Sequence, residues 1–243
     1  MRRQTRRRFV AATALAVAGI AGCTGRTGSA GAGTEGTSGG ATEPGDTDGR
    51  TTGSSESLDS HPAAAGLDAQ PTLGPREATA TIVAFEDPSC PRCRAFERNT
   101  VPRIRDELVA TGQARFVART YPVVYPWGEP AVQALESTFA RSSEAFWGLF
   151  AHYFADQDAF STDNVLPRTE EWLAANTDLD GAAVVADAEA GAYDDAVQVD
   201  LDAGEAAGVG RTTPTVFLFR DGEYVTRAGG SVSFDLLTSA LGL

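Results

Sequence analysis

The sequence FEDPSCPRC, residues 85–93, decides the fold of this 243-residue chain. It follows a run of β-branched and apolar residues at 78–85, which predicts a buried strand. A helical pattern comes directly after it, so Cys90 and Cys93 lie where a strand passes into a helix. There the unpaired backbone N–H groups and the helix dipole favour a negative charge. We therefore expect Cys90 to ionise readily, and Cys93, one turn later, to be the more buried resolving thiol.

A zinc site, a structural disulfide and a pair of inert thiols each fit the two cysteines less well than a redox dithiol. A structural zinc site needs about four ligands, and beyond the two cysteines the chain offers only His61 in the tether and His152. A structural disulfide across so short a loop would constrain little of the unfolded chain. Two inert buried thiols are unusual at the start of a helix. The spacing favours a redox dithiol that uses no metal and no cofactor.

The neighbours of the dithiol are candidates for tuning its chemistry. Pro91 and Arg92 lie between the sulfurs, and Arg92 brings a permanent positive charge close by. Glu86 and Asp87 stand just before the pair, and a carboxylate near a buried thiol can move protons during exchange. The alternative for both acids is an ordinary solvated turn.

The rest of the domain predicts an α/β fold over residues 73–243. Pro102 should kink or divide the first helix, and a strand at 114–120 should lie parallel to the first strand through a right-handed crossover. A helical insertion is expected at about 129–190. The last elements are a strand at 215–219, a turn at Asp221-Gly222, a hairpin partner at 224–227 and a closing helix with Phe234, Leu237 and Leu241.

Several segments together resemble one family. Residues 85–93, 116–122, 145–150 and 208–216 resemble, in this order, parts of the DsbA-like thioredoxin-fold proteins, and the resemblance covers most of 79–219. Of these, the Cys-Pro-x-Cys motif and the later Thr-Pro pair carry the most specific signal.

The resemblance implies a thioredoxin fold interrupted by helices, with Cys90 as the nucleophile. It also implies that Thr213 and a cis Pro214 lie beside the sulfurs and present backbone groups to a substrate peptide. Arg92 stands where the best-known oxidants of the family have histidine, which leaves the redox potential open.

Residues 1–22 predict an export signal, because a basic head precedes an uncharged apolar run at 9–22. That run is shorter than the roughly 20 residues needed to span a membrane. The sequence TRRRFV at 5–10 resembles a twin-arginine motif. IAGC at 20–23 resembles a lipobox, which implies cleavage before Cys23 and a lipid on its thiol. The alternatives are an ordinary cleaved signal and an uncleaved anchor.

Residues 23–72 are dense in Gly, Ser, Thr, Ala and acidic residues, so we expect a disordered tether. The formal net charge is −13 and the chain has no lysine. This composition resembles that of proteins from halophilic organisms. It forms no basic patch, which argues against nucleic acid as a partner.

These patterns predict a thiol–disulfide oxidoreductase that acts on cysteines of exported proteins. Its expected location is the extracytoplasmic face of the cell membrane, anchored through lipid on Cys23. The family resemblance also implies a membrane quinone-linked partner that re-oxidises the dithiol. Two alternatives remain open: a thiol reductant for cofactor or cytochrome maturation, and a tethered module that binds peptides beside Pro214 without turnover.

Overall fold

The computed structural model describes residues 56–243 of the chain. The predicted signal at 1–22, the lipidation site Cys23 and the first part of the tether lie outside these residues. Residues 56–243 contain one five-stranded sheet and eight α-helices. Their order is the predicted one, with a helical block between a βαβ half and a ββα half.

The sheet has the strand order β1-β3-β2-β4-β5. Strands β2 and β3 run parallel, and the other neighbouring pairs are antiparallel. The bounds are β1 Thr72–Leu73, β2 Ala80–Glu86, β3 Ala114–Thr120, β4 Thr215–Arg220 and β5 Glu223–Gly229. The central strand β2 therefore leads directly into the dithiol segment.

Every residue of β2 is buried because both faces of the sheet are covered. Ile82 and Ala84 belong to a hydrophobic cluster that also contains both dithiol cysteines and residues from most of the helices. Val83 and Phe85 belong to a second cluster on the other face. A strand covered on both faces needs a continuous apolar run rather than an alternating one, and residues 80–85 supply it.

The helix after the dithiol is divided, as the position of Pro102 predicted. Helix α1 spans Pro91–Asn99, and a short α2 at Val101–Arg103 leads into a π-helical turn at Ile104–Val109. Proline has no backbone N–H to continue the hydrogen-bond ladder of α1. The hydroxyl of Thr100, at the junction, donates to the Val232 carbonyl at 2.8 Å, which ties the break to the loop before the last helix.

Five α-helices separate β3 from β4 in the described chain. They are α3 Gly128–Phe139, α4 Ser143–Ala155, α5 Val165–Asn176, α6 Gly181–Ala190 and α7 Asp194–Ala206, with a 3₁₀ turn at Gln157–Ala159 after α4. The predicted end of the insertion near residue 190 is too early, because α7 continues the block to 206. The buried positions of α7 include Asp200, Ala203 and Gly204, so its apolar stripe is weak.

The C-terminal half is a hairpin followed by a helix. Asp221 and Gly222 both adopt positive φ in the turn between β4 and β5. Helix α8, Phe234–Leu241, buries three apolar side chains against the sheet and begins at Ser233, whose hydroxyl accepts from the Leu236 N–H.

The prediction of a disordered tether through residue 72 is wrong for residues 56–72. This stretch, here called the N-terminal segment, forms two 3₁₀ turns, Pro62–Ala64 and Leu67–Ala69, and enters β1 at its end. Ser57 pairs with Glu223 at the start of β5. The composition of the N-terminal segment does not predict its order, because it has few large buried side chains. Those are His61 and Leu67, and the segment depends on the sheet for its order.

His61 is the main contact of the N-terminal segment with the sheet. Its side chain is 6% exposed, and its ring centroid lies 5.2 Å from Phe217, 5.2 Å from Phe219 and 4.6 Å from Tyr224. Its Nδ1 accepts from the Ala63 N–H at 3.1 Å. Burial lowers the pKa of His61, although Glu56 opposes this. The imidazole is therefore neutral and acts as an aromatic packing residue.

A buried ion pair joins the N-terminal segment to β3 and α7. Arg119 Nη1 donates to Asp200 Oδ1 at 2.7 Å, and both side chains are essentially inaccessible. Arg119 Nη2 donates to the Ala65 carbonyl, while Asp200 also accepts from the Thr120 N–H at 2.8 Å. Burial raises the pKa of Asp200 to about 6 despite Arg119. Removing one partner would leave a buried charge uncompensated.

We predict that a chain starting at residue 73 is less stable than one starting at residue 56. Its loss of the N-terminal segment exposes Phe217 and Phe219 and takes the Ala65 carbonyl from Arg119. We expect the free energy of unfolding to fall by about 3 kcal/mol or more, measured by denaturant unfolding. The chain starting at 56 is the control, and equal unfolding midpoints for the two chains would contradict the prediction.

Candidate active site

Cys90 is the N-cap residue of α1, with extended backbone dihedrals (φ −82°, ψ 122°) and Pro91 at the first helical position. Proline is well suited to this position because the first helical N–H groups have no partner within the helix. The Cys90 side chain is 2% exposed and Cys93 is fully buried. Both are free thiols in this structure. Only the first sulfur therefore keeps any opening to an incoming substrate.

The environment of Cys90 stabilises its thiolate. The pKa of Cys90 is lowered to about 5, first by the hydrogen bond from the Cys93 thiol, then by Thr213 and the backbone N–H groups of Cys93 and Arg92, while burial opposes the shift. A sulfur that accepts several N–H and S–H donors at a helix start ionises below neutral pH. The readily ionised Cys90 thiol that the sequence predicts therefore results from these hydrogen bonds.

Cys93 behaves in the opposite way. Burial raises its pKa well above the ordinary thiol value, and its hydrogen bond to Cys90 and the nearby Glu86 raise it further. Its sulfur accepts from the Asp87 N–H at 3.4 Å. The proton of the pair therefore resides on Cys93, which donates it toward Cys90.

The loop before β4 lies against Cys90. The Thr213–Pro214 peptide bond is cis, and the Cys90 thiol, when protonated, donates to the Thr213 carbonyl at 3.4 Å. The Thr213 hydroxyl is buried without another partner in the described residues, so it is available to the Cys90 sulfur. The Pro214 carbonyl already accepts from the Gly230 N–H at 2.9 Å. The backbone of Thr213 is therefore better placed than that of Pro214 to bind a ligand beside Cys90.

Asp87 acts as a buried anchor for two loops. One carboxylate oxygen accepts from the Ser89 N–H at 2.7 Å and the Ser89 hydroxyl at 2.6 Å. The other accepts from the N–H groups of Val123 and Val124 at 2.8 and 2.7 Å. A Cβ at Gly128 would approach Asp87 Oδ1 to 2.7 Å, so only glycine allows α3 to begin this close. Four donors occupy this carboxylate, whereas a solvated turn would leave it to water.

Glu86 is a different kind of acid. It is fully buried, and neither of its oxygens receives an N–H or hydroxyl donor in the described chain. Burial raises its pKa well above the usual value, and the neighbouring Glu97 raises it further. The pKa of Glu97 itself is raised to about 7. Two neighbouring carboxyl groups with raised pKa values therefore lie near the dithiol, with Arg105 as the nearby positive charge.

Two residues of this site, Glu97 and Gln157, were not predicted from the sequence. Glu97 lies four positions after Cys93 and so faces the same side of α1. Gln157, in the turn after α4, donates to the carbonyls of Pro88 and Cys90 at 2.7 and 3.0 Å. Helical spacing alone signals Glu97. Nothing local to residue 157 signals a contact with a loop nearly seventy residues earlier.

The remaining predicted site residues have clear positions. Arg92 is exposed and lines a groove of about 280 Å³ with Gly230 and Val232. Its backbone N–H, and not its guanidinium, is among the groups that lower the pKa of Cys90, so tuning by its charge stays a prediction. Pro91 is exposed at the helix start. Cys23 lies outside the described residues.

The sheet order, the dithiol at the start of α1 and the cis-proline loop define a thioredoxin-fold protein. A sequence model described as thioredoxin matches residues 67–234, and the chain belongs to this family. Within residues 56–243 no helix is long and apolar enough to cross a membrane. In the same range no three His, Cys, Asp or Glu side chains are grouped as metal ligands.

Curated relatives match parts of the chain. Disulfide bond formation protein D of Bacillus subtilis is 26% identical over 98 residues, which are 40% of this chain and 44% of that protein. The probable disulfide bond formation protein D of Bacillus cereus is 24% identical over 104 residues, 43% of this chain and 44% of that protein. The Na⁺/H⁺ antiporter NhaA 3 of Salinispora tropica is 34% identical over 99 residues, 40% of this chain and 14% of that protein. The chain thus matches less than half the length of these relatives.

Solved structures resemble the whole domain. Oxidised BdbD from Bacillus subtilis superposes with a TM-score of 0.64 at 19% identity, covering 72% of this chain and 92% of that one. α-DsbA1 from Wolbachia pipientis gives a TM-score of 0.61 at 18% identity, covering 71% and 89%. These similarities confirm the predicted DsbA-like thioredoxin fold with its helical insertion.

We predict that Cys93→Ala raises the pKa of Cys90, because it removes the hydrogen bond that lowers this pKa most. Thiolate absorbance near 240 nm should titrate with a midpoint near 5 in the unaltered protein, and about one pH unit or more higher in the variant. In the control Cys90→Ala, the remaining thiol should stay protonated at neutral pH. An unchanged midpoint in Cys93→Ala would contradict this role of the Cys93 thiol.

Proposed function

We propose that the protein is a thiol–disulfide oxidoreductase that exchanges disulfides with cysteine-containing proteins through Cys90 and Cys93. The observation that carries the proposal is the opposite ionisation of the two sulfurs, with the Cys90 pKa lowered to about 5 and that of Cys93 raised. A structural disulfide needs no such asymmetry, whereas stepwise exchange requires one reactive thiolate and one reserved thiol.

In the oxidising direction, a substrate thiolate attacks Cys90 Sγ of the Cys90–Cys93 disulfide. The bond between the two cysteines breaks, its electron pair stays on Cys93, and Cys93 takes up a proton. A second substrate thiolate then attacks the substrate sulfur of the mixed disulfide. Cys90 leaves as a stabilised thiolate, so the substrate gains a disulfide and the dithiol is reduced by two electrons. The reducing direction is the reverse sequence.

The stabilised Cys90 thiolate favours the oxidising direction. Every donor that lowers its pKa stabilises the reduced protein relative to the disulfide form. The same stabilisation makes Cys90 a good leaving group in the second step. A thiol reductant for cofactor or cytochrome maturation would use the same residues in reverse, and the reduction potential separates the two directions.

Thr213 and Pro214 are proposed to align the substrate. The Thr213 carbonyl faces the Cys90 sulfur at 3.4 Å, so a peptide paired with the Thr213 backbone would bring its own cysteine close to Cys90. Pro214 shapes this loop, since its carbonyl is already bonded to Gly230. The groove lined by Arg92 adjoins the same place.

Glu86 is proposed to exchange a proton with Cys93. It raises the pKa of Cys93 through its proximity. The pKa of its neighbour Glu97 is about 7, so near pH 7 the two acids together include a carboxylate that can accept a proton. Asp87 suits this role less, because four donors occupy its oxygens. Asp87 is proposed to tune the dithiol indirectly, by holding the Ser89 backbone just before Cys90.

The proposed setting is the extracytoplasmic face of the cell membrane. The signal pattern at 1–22 and the lipobox ending at Cys23 support export and lipid anchoring. The substrates would then be exported proteins with cysteines, and re-oxidation would fall to a membrane quinone-linked partner. The domain contains no structural disulfide among its described cysteines, so it can fold in a reducing compartment before export.

We predict that Cys93→Ala accumulates mixed disulfides with substrate proteins and that Cys90→Ala does not. Without the resolving thiol the protein cannot release itself from a substrate bonded to Cys90. Non-reducing gels followed by mass spectrometry identify what is trapped. For the unaltered protein we expect a reduction potential closer to about −120 mV than to about −270 mV. A value near −270 mV would favour the reductant, and failure to trap would contradict exchange.

We also predict that Glu86→Gln slows the escape of Cys90 from a mixed disulfide about tenfold or more at pH 7, because Cys93 loses its proton acceptor. The rate is measured by stopped-flow release of a fluorescent peptide bonded to Cys90. Glu107→Gln, at an exposed position paired with Arg103, is the control. Equal release rates for Glu86→Gln and the unaltered protein would exclude this role.

A further inference from the structure

Gln157 joins the helical block between β3 and β4 to the backbone that carries the nucleophile. It opens the 3₁₀ turn after α4, and its side chain is 6% exposed. The single Nε2 amide donates to Pro88 O at 2.7 Å and to Cys90 O at 3.0 Å. Both acceptors belong to the short stretch between β2 and α1.

These two carbonyls accept few other hydrogen bonds. The Cys90 carbonyl also receives the Arg94 N–H, at 3.0 Å, as the first hydrogen bond of α1, while Pro88 is itself buried. A buried carbonyl that loses its donor is destabilising, so without Gln157 the loop would move until the Pro88 carbonyl meets another donor. Such a shift would alter how the N–H groups of Arg92 and Cys93 point at the Cys90 sulfur.

The carbonyl of Cys90 also matters electrostatically. Its oxygen carries partial negative charge and belongs to the same residue as the sulfur that must become an anion. The Nε2 amide group brings its partial positive charge next to that oxygen. The site is buried, and dipoles act strongly where water is excluded. Gln157 therefore supports a thiolate in two ways, through loop geometry and through the field at the sulfur.

The same turn makes a second, weaker contact with α1. Asp158 Oδ2 accepts from Arg94 Nη1 at 2.7 Å, and the Asp158 side chain is 85% exposed. An exposed ion pair of this kind contributes little. Gln157 thus makes a buried contact with the backbone around Cys90, whereas its neighbour Asp158 makes a surface contact with α1.

We propose that Gln157 is a positioning residue for Cys90, through which the helical block controls the reactivity of the nucleophile. The link to turnover rests on the proposed function, but the effect on the sulfur does not. Gln157 is expected to touch neither substrate nor reacting atoms, and it acts through the Pro88 and Cys90 carbonyls. Loosening the turn after α4 would thereby weaken the thiolate without changing either cysteine.

The test compares Gln157→Met, which keeps the length of the side chain and removes its donors, with two controls. Gln133→Met removes another buried amide, one that donates to Asp194 Oδ1 at 2.6 Å. Asp158→Ala removes the surface contact of the same turn. We expect the Cys90 titration midpoint, followed by thiolate absorbance and by iodoacetamide alkylation, to rise by about one pH unit in Gln157→Met only. Alkylation at pH 5 should slow about fivefold.

A purely structural role gives a different result. It would lower the unfolding midpoints of Gln157→Met and Gln133→Met alike and leave the Cys90 titration unchanged, which would overturn the proposal. If Gln157→Met does not fold, Gln157→Asn keeps an amide and adds no charge, but its shorter side chain cannot reach both carbonyls. It must also raise the midpoint, by more than Gln133→Asn does. A midpoint near 8.5 in the unaltered protein would instead overturn the proposed function, so the two failures are distinguishable.

Discussion

The rest of the site depends on one constraint: the Cys90 sulfur is held at the start of α1 among donors that α1 cannot supply alone. The first turn of α1 provides two N–H groups, Cys93 provides the S–H, and Thr213 lies across from them. The position of this helix start relative to Thr213 depends on elements that are distant in sequence. Asp87 holds the entry loop against the segment after β3, and the β2–β4 pairing sets the cis-proline loop beside α1.

The pKa values of the two thiols differ although only two residues separate them. Cys90 lies where the chain leaves the sheet and meets donors, whereas Cys93 lies one turn deeper among apolar side chains and close to Glu86. Burial raises the pKa of a thiol, and donors lower it. The same short helix therefore carries one thiol with a lowered pKa and one with a raised pKa, which is the division that the proposed exchange needs.

The sheet and the dithiol could be predicted from the sequence, but only part of the site could. Strand β3 was predicted over the residues it occupies, and the division of α1 followed from Pro102, because these signals are local. Residues 56–72 were assigned to a disordered tether because their order comes from rings on β4, far along the chain. Gln157 was missed for the same reason. A polar side chain that bonds to a remote backbone leaves no periodic pattern, so only the fold reveals it.

The pairing of Ser57 with Glu223 has a consequence for orientation. Glu223 lies opposite Arg220, which in turn lies opposite Ala80 at the beginning of β2. The polypeptide therefore joins the sheet in the row where β2 starts, about 20 Å from the end where β2 delivers the dithiol. Residue 56 and the dithiol therefore lie at opposite ends of β2, so a force applied at residue 56 would act first on the β4–β5 hairpin and not on the loop that carries Cys90.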